Sequence, residues 1–267
     1  MYKKLLLDEG VEYAAALPIL SVDLTREYLL TRIEGFSPRA VILFLVPYYA
    51  GETENLSRYA ASEDYHLYMR GLIDRMTTKL YNLYPEHQFH GFADHSPIDE
   101  RAAAVRAGLG VLGRNGLLLN PTYGSYVFLG EIFTDLTAES LGFKEEAPLR
   151  ACEDCGACRR ACPTGILRGE GDDCLSAITQ KKGSLDGREI ALMRKTNTVW
   201  GCDLCQTACP YNRNARTTPI AFFHENRTPH LTLELLDAMD DASFSRRAYA
   251  WRGRETMRRN LLLLSDT

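Results

Sequence analysis

A mixed α/β body joined to a small cysteine-held module is the architecture this sequence predicts, and three observations carry the prediction. All eight cysteines fall between Cys152 and Cys209. A run of seven apolar residues, Ala40–Val46, is closed by Pro47 and reads as one buried strand. On either side of that run, segments with apolar residues at helical spacing are interspersed with short strand-like runs. With 267 residues the chain is long enough for one large domain or for a body plus an insert.

The cysteines form two groups. The first reads Cys152-x2-Cys155-x2-Cys158-x3-Cys162-Pro163, and the second reads Cys202-x2-Cys205-x3-Cys209-Pro210. Cys174 lies between them. The first group has the spacing of a bacterial ferredoxin that holds cubane iron–sulfur clusters. A cubane needs four thiolates at the corners of a tetrahedron, and cysteines two residues apart wrap one core within a tight turn. The fourth cysteine, followed by proline, serves the other cluster in two-cluster ferredoxins. On that rule Cys152, Cys155, Cys158 and Cys209 hold one [4Fe-4S] cluster, and Cys174, Cys202, Cys205 and Cys162 hold the other. Zinc and disulfides are the competing readings. Zinc sites favour CxxC pairs or Cys/His sets at longer separations, and no histidine lies between 152 and 209. Disulfides suit an exported chain.

The N-terminal Leu5-Leu6-Leu7 is followed at once by Asp8, Glu9 and Glu12, which is neither a secretion signal nor a membrane span. Reduced cysteines without an export signal point to the cytoplasm. The formal net charge of −4 excludes a general polyanion binder, although the C-terminal end is basic.

Taken in order, residues 3–34 read mainly as helices, with a break near Pro18 and Ser21 and a second helix from about Asp23. The buried strand at 40–46 presents Tyr48 and Tyr49 at its C-terminal end, where α/β sheets usually meet ligands; packing is the plainer role. Residues 51–62 read as a loop. A helix opens at Asp64-Tyr65-His66, with Tyr65, Tyr68, Met69, Leu72, Ile73 and Met76 as its apolar stripe. His66 is either a capping or packing residue or part of a site. Gln88–Asp94 reads as a strand ending in a loop with Asp94 at its tip. A helix then starts at Ser96-Pro97, carrying Asp99 and Glu100 at its positive end, and stops at Gly108-Leu109-Gly110. Leu117–Asn120 and Tyr126–Phe133 read as a hairpin around the turn Pro121–Gly124. The glycines of 108–116 do not make a dinucleotide site, because they follow a helix and that fingerprint follows a strand. Asp94 reads as a helix cap, or as a general acid if burial against a cofactor raised its pKa. Residues 231–247 read as helical. Arg246, Arg247, Arg252, Arg254, Arg258 and Arg259 are then interleaved with Tyr249 and Trp251 against one acid, Glu255. That pattern suits either phosphate contact or a solvated helix face.

Together these motifs resemble the epoxyqueuosine reductases. The resemblance rests on CxxCxxCxxxCPTGI, Cys174-Leu-Ser, and Trp200-GCDLCQTACPYN. It rests also on the earlier A-D-x-x-P-x-x-E-R-A run, RAGLG, and NPTYGSYVFLGEIFTDL. It spans about residue 40 to the C-terminus. It implies a nitroreductase-like cobalamin-binding module joined to a ferredoxin-like two-[4Fe-4S] module, an α+β and α/β combination. The implied division is a cobalamin and substrate module over 1–145, a two-cluster module over 146–215 and an arginine-rich helical segment over 216–267. The implied activity is reduction of epoxyqueuosine in tRNA to queuosine, with Asp94 as proton donor. Arg101, Gly113, Arg114, Asn115, Gln180 and Lys181 would contact cobalamin, and Tyr48 and His66 join the same pocket. The six arginines would meet tRNA, and a flavodoxin or ferredoxin would supply electrons. Longer members continue into helical repeats, so a short form without them is expected. A dehalogenase-like cobalamin enzyme and a non-catalytic iron–sulfur carrier are the alternatives.

Overall fold

The computed structural model describes residues 1–144 and 151–265. The chain divides into two compact units: Met1–Pro47 with Tyr68–Glu153, and Tyr48–Leu67 with Asp154–Thr267. The expected boundary at 145/146 lies outside the described residues. The segment after the first buried strand, expected to stay with the N-terminal body, is grouped with the cysteine-bearing unit.

The first unit is built on a four-stranded sheet in the order β1-β2-β6-β3, antiparallel throughout. Helix α1 (Tyr2–Leu7) precedes β1 (Tyr13–Pro18), and the short helix α2 (Tyr28–Thr31) precedes β2 (Ala40–Pro47). Residues 13–18 were expected to be helical. Instead Gly10, in the left-handed region at φ 81°, ends α1, and Tyr13–Pro18 pairs residue for residue with Leu45–Ala40. The pairing overrides the helix preference of Ala14-Ala15-Ala16. β2 is the core strand, and Ala40 to Val46 are all at most 1% exposed.

Helix α3 (Tyr65–Leu83) buries Met69, Leu72, Met76 and Leu80, the stripe its spacing predicts for a helix laid on a sheet. It comes close because β6 carries Gly130, where a Cβ would lie 2.5 Å from the Phe44 ring and 2.8 Å from Met69 Cε. Strand β3 (Phe89–Phe92) and helix α4 (Glu100–Arg106) follow. α4 starts later than the Ser96-Pro97 signal suggests. The Pro97 carbonyl accepts the N–H groups of Thr25 and Arg26, which holds 96–98 out of the helix, and Asp99 caps α4 instead. Val41, Leu43, Leu45 and Phe133 pack with Ala103, Ala104 and Ala107 of α4. β4 (Val111–Leu112) pairs with β5 (Leu118–Leu119), so the expected hairpin between 117–120 and 126–133 does not form. β6 (Val127–Thr134) pairs instead with β2 and β3.

The second unit holds short helices: α5 (Ala157–Ala161), α6 (Leu175–Thr179), α7 (Gly187–Thr196), α8 (Leu204–Thr207), α9 (Leu233–Ala238), α10 (Asp241–Ser245) and α11 (Arg254–Ser265). Its core gathers Leu56, Ala60, Val199, Trp200, Leu231, Leu236, Tyr249, Met257 and Leu261. Two buried asparagines tie it together. Asn55 exchanges side-chain hydrogen bonds with the Leu231 backbone, and Asn260 of α11 donates to the carbonyls of Thr179 and Val199. No helix among the described residues is long and apolar enough to cross a membrane.

Candidate active site

Seven of the eight cysteines lie in the second unit, Cys152 stands at the end of the first, and none of the eight is in a disulfide. α5, which carries Cys158 and ends just before Cys162, packs on α8, which carries Cys205. Cys162 and Cys209, the two cysteines before proline, are the buried ones. Burial alone would raise the Cys162 pKa. The backbone N–H groups of Leu167, Gly165 and Thr164, with the Thr164 hydroxyl, outweigh it and lower the value. A thiolate cradled by amides is what a cluster ligand needs. Cys202 is pushed up to about 11, first by burial and further by the nearby charges of Cys174, Asp203 and Cys162. Cys174 and Cys162 thus each lie within electrostatic reach of Cys202. Among the described residues no three His, Cys, Asp or Glu side chains converge on one ion.

Asp203 fixes this cysteine loop. Its carboxylate accepts from the Ser57 hydroxyl, the Arg58 N–H at 2.7 Å and Gln206 Nε2 at 3.0 Å, and it pairs with the Arg58 guanidinium at 3.2 Å. Both side chains of the ion pair are 8% exposed. Gly201, in the left-handed region at φ 73°, lets the chain pass Ser57, where a Cβ would lie 2.4 Å away.

In the first unit Asp94 stands two residues beyond β3. It is exposed and adopts a left-handed conformation at φ 63°, one that Asp tolerates better than most residues. It lines a cleft of about 500 Å³ with Arg26, Asp99, Glu100, Arg101 and Phe128. Asp99, not Asp94, is the cap of α4. Behind Asp94 lie two further carboxyl groups. Glu131, in the middle of β6, is opposite Leu43 on one side and Phe92 on the other, and it is fully buried. Glu100 is the first residue of α4. Burial, then the Asp94 charge, pushes Glu100 up to about 7; burial, then the Glu100 charge, raises Glu131 well above the carboxylate range.

The expected cobalamin contacts fall in both units. In the first, Arg101 donates to the Gly116 carbonyl, and Gly113 is tight against Asn115 Oδ1, 2.5 Å from an added Cβ. The Asn115 oxygen accepts the Leu117 N–H, while its Nδ2 is buried without a partner among the described residues. Arg114 stands next to it in the same turn. In the second unit Tyr48 is buried and donates to Gln206 Oε1. His66 binds Asp64 and stacks on Tyr65. Gln180 donates to Ser176, and Lys181 is held between Asp173 and Glu189, which raise its pKa.

The arginine cluster is mostly committed to its own unit. Arg246 pairs with Glu63, Arg258 with Asp237, and Arg254 with Asp241 and the carbonyls of Leu236 and Met239. Arg247 and Arg259 donate to the carbonyls of Asn226 and Lys181. Tyr249, expected to be interleaved on that surface, is core. Arg252 lies over the exposed Trp251 ring at 4.0 Å.

Residues 151–212 match the family model of a 4Fe-4S double cluster binding domain. The curated epoxyqueuosine reductase of Listeria monocytogenes is 34% identical over 215 residues, covering 75% of this chain and 54% of that protein. The chain belongs to the epoxyqueuosine reductase family. It spans about half the length of the curated epoxyqueuosine reductases it matches. A solved epoxyqueuosine reductase from Streptococcus thermophilus shares the fold, with a TM-score of 0.80 at 24% identity over 98% of this chain and 79% of that one. A crystal structure of an epoxyqueuosine reductase with an epoxyqueuosine-modified tRNA stem loop gives 0.78 at 23% identity, with 98% and 79% covered.

The sequence reading of this family member missed Glu131, Ser96 and Asp203, and took Glu100 for a helix-dipole residue only. Glu131 carried a legible signal: it is a lone acid in an apolar strand, in phase with Leu129 and Phe133. Asp203 carried none, because its partners Ser57 and Arg58 lie about 145 residues upstream.

Proposed function

We propose that the chain reduces the epoxide of epoxyqueuosine at the wobble position of tRNA to queuosine, with two [4Fe-4S] clusters and a nitroreductase-like, cobalamin-binding module. Residues 1–145 form that module, 146–215 the two-cluster module and 216–267 the helical segment beside it. Cys152, Cys155, Cys158 and Cys209 hold one cluster; Cys174, Cys202, Cys205 and Cys162 hold the other. The buried, partnerless amide of Asn115 is a donor left for a ligand and favours a cofactor at that turn, with Arg114 and Arg101 beside it. Bound there, cobalamin would supply strongly reducing chemistry, and the clusters held by the cysteines would supply single electrons. A cytoplasmic one-electron carrier, a flavodoxin or ferredoxin, feeds the clusters.

The observation that carries the reading is Asp94 on the lip of its cleft, with two carboxyl groups behind it. Removing the epoxide oxygen as water consumes two electrons and two protons, so the site needs an acid beside the leaving oxygen. Asp94 is placed on a loop, exposed, to give that proton. With most of the arginines already bonded, Trp251 with Arg252 stacked on it is the surface left to meet RNA bases.

The test is queuosine formation on epoxyqueuosine-containing tRNA, using anaerobically reconstituted protein with cobalamin and a strong reductant. Asp94→Asn keeps the left-handed turn, since Asn also tolerates it, and should abolish turnover while iron and corrin contents stay unchanged. No turnover by the loaded wild type, with a longer relative active in parallel, would refute the substrate. Full activity of Asp94→Asn would refute the role of Asp94.

A further inference from the structure

Glu131 presents a conflict that the fold does not resolve by itself. It stands opposite Leu43 and in phase with Leu129 and Phe133, on the face of β6 that packs with α4. Neither of its oxygens meets a donor at hydrogen-bonding geometry among the described residues, and Oε1 of Glu100 is buried in the same condition. The polar groups that face Glu131 are the Ser96 hydroxyl, the Glu100 carboxyl and, farther out, Asp94. Those that face Glu100 are Glu131, Asp94 and Arg26, and the backbone N–H of Asp94 donates to its carboxylate. Ser96 is fully buried, and its oxygen already accepts the Ile98 N–H, so its own hydrogen is left to donate toward Glu131.

Two ionised carboxylates side by side in a buried layer repel one another, and the Asp94 N–H at Glu100 and the Ser96 hydroxyl at Glu131 are neutral donors that do not cancel two charges. One proton removes the problem. It turns an acceptor–acceptor clash into an O–H···O⁻ hydrogen bond between the two acids, as in other carboxyl pairs that cannot both ionise. We propose that Glu100 and Glu131 share one proton and, with Asp94, form a three-carboxyl proton store of which Asp94 is the exposed member.

This deepens, and rests on, the reductase reading of the Asp94 cleft. Deoxygenation of an epoxide takes up two protons as the oxygen leaves as water, and one carboxyl group carries one. Asp94 gives the first. The shared proton of Glu100 and Glu131 replaces it at Asp94 through Glu100, whose carboxylate is already bonded to the Asp94 backbone. The pair then takes a proton from solvent through the cleft. The two electrons come from the one-electron carrier named above. Glu100 and Glu131 are positioning and storage groups and do not touch substrate.

The store is read directly by infrared difference titration of the full chain with 13C-labelled glutamate. The wild type should keep one protonated glutamic acid at pH 8. Glu131→Gln should lose that band, Glu100→Gln should keep it at a shifted frequency, and Asp94→Asn should lower the pH at which Glu100 ionises. Absence of the band in wild type, or its survival in Glu131→Gln, overturns the pair. An unchanged Glu100 titration in Asp94→Asn overturns its coupling to Asp94. In turnover, Glu131→Gln should lower kcat roughly tenfold above pH 7 with KM unchanged, and match wild type below pH 6. A loss that is equal at every pH would mark a packing defect and overturn the delivery role. A wild type with the band and no turnover refutes the reductase reading alone; one that turns over without the band refutes the store alone.

Discussion

Asp203 is the residue on which the cysteine-bearing unit should prove most sensitive. Asp203→Ala removes one carboxylate and four interactions: the bonds from Ser57 Oγ, the Arg58 N–H and Gln206 Nε2, and the ion pair with the Arg58 guanidinium. Both ionic partners are 8% exposed, so solvent does not replace what is lost. Breaking a buried pair from one side typically costs about 3–5 kcal/mol, because a charge is left without its counterpart. Arg58 keeps a second acid, Glu52, whose side chain is 70% exposed. That partial compensation puts the expected loss near the lower end, about 3 kcal/mol. Asp203→Asn keeps one acceptor oxygen, which can serve the Ser57 hydroxyl or the Arg58 N–H but not both, turns an NH2 toward the other donor and loses the charge, so its cost should be about 2–3 kcal/mol. The assay is urea unfolding followed by tryptophan fluorescence. Trp200 is the local probe, since its carbonyl accepts the Ser57 N–H and its indole donates to Tyr59. Iron content after reconstitution should fall with stability, because Asp203 lies between Cys202 and Cys205. A loss below about 1 kcal/mol in Asp203→Ala, or no measurable loss in Asp203→Asn, would refute the argument that this carboxylate anchors the loop.

Three further outcomes are expected. Gly130→Ala forces a methyl group to within 2.5 Å of the Phe44 ring, so thermal melting should show an overpacking penalty of about 1–3 kcal/mol in the first unit. Asp186→Ala removes the capping box of α7, in which Asp186 and Glu189 bind each other's backbone N–H; circular dichroism melts should register about 1 kcal/mol with both clusters retained. The third concerns pH. Glu100 titrates at about 7 in the fold against 4.5 for an ordinary glutamate, raised first by burial and then by Asp94. A raised carboxyl pKa means the folded chain binds the extra proton, so stability falls as pH rises from about 4.5 to about 7 and stays low above that. The span is of order 3 kcal/mol, and Glu100→Gln should flatten that part of the melting temperature against pH.

Where the sequence was legible, one residue type or one period decided the matter locally. The cubane spacing needed only the intervals between cysteines, and β2 needed only seven apolar residues and a proline. The stripe of α3 needed only its 3.6-residue recurrence. Where it misled, a distant partner decided. Ala14–Ala16 have helical preference, yet β2 offered an edge and took them as a strand. Pro97 looks like a helix start, yet its carbonyl is claimed by Thr25 and Arg26. The arginines look like one basic surface by composition. In the fold their side chains are divided among Glu63, Asp237, Asp241 and several carbonyls, although exposed ion pairs of that kind contribute little to stability.

The carboxyl groups behind Asp94 show both behaviours in one site. The odd acid in the apolar strand 127–134 was visible, because strand phase puts Glu131 beside Leu129 and Phe133, and a charge there must either be neutral or be paired. What the chain alone could not give was the identity of its partner, since Glu100 reads as a residue suited to a helix N-terminus. The β3–α4 loop resolves this. By holding 96–98 against residues 24–26, it delays the helix until its cap at Asp99 and leaves Glu100, the first helical residue, facing Glu131. A single backbone choice at Pro97 therefore places the exposed acid and its buried reserve together, and a helix that began at Ser96 would have separated them.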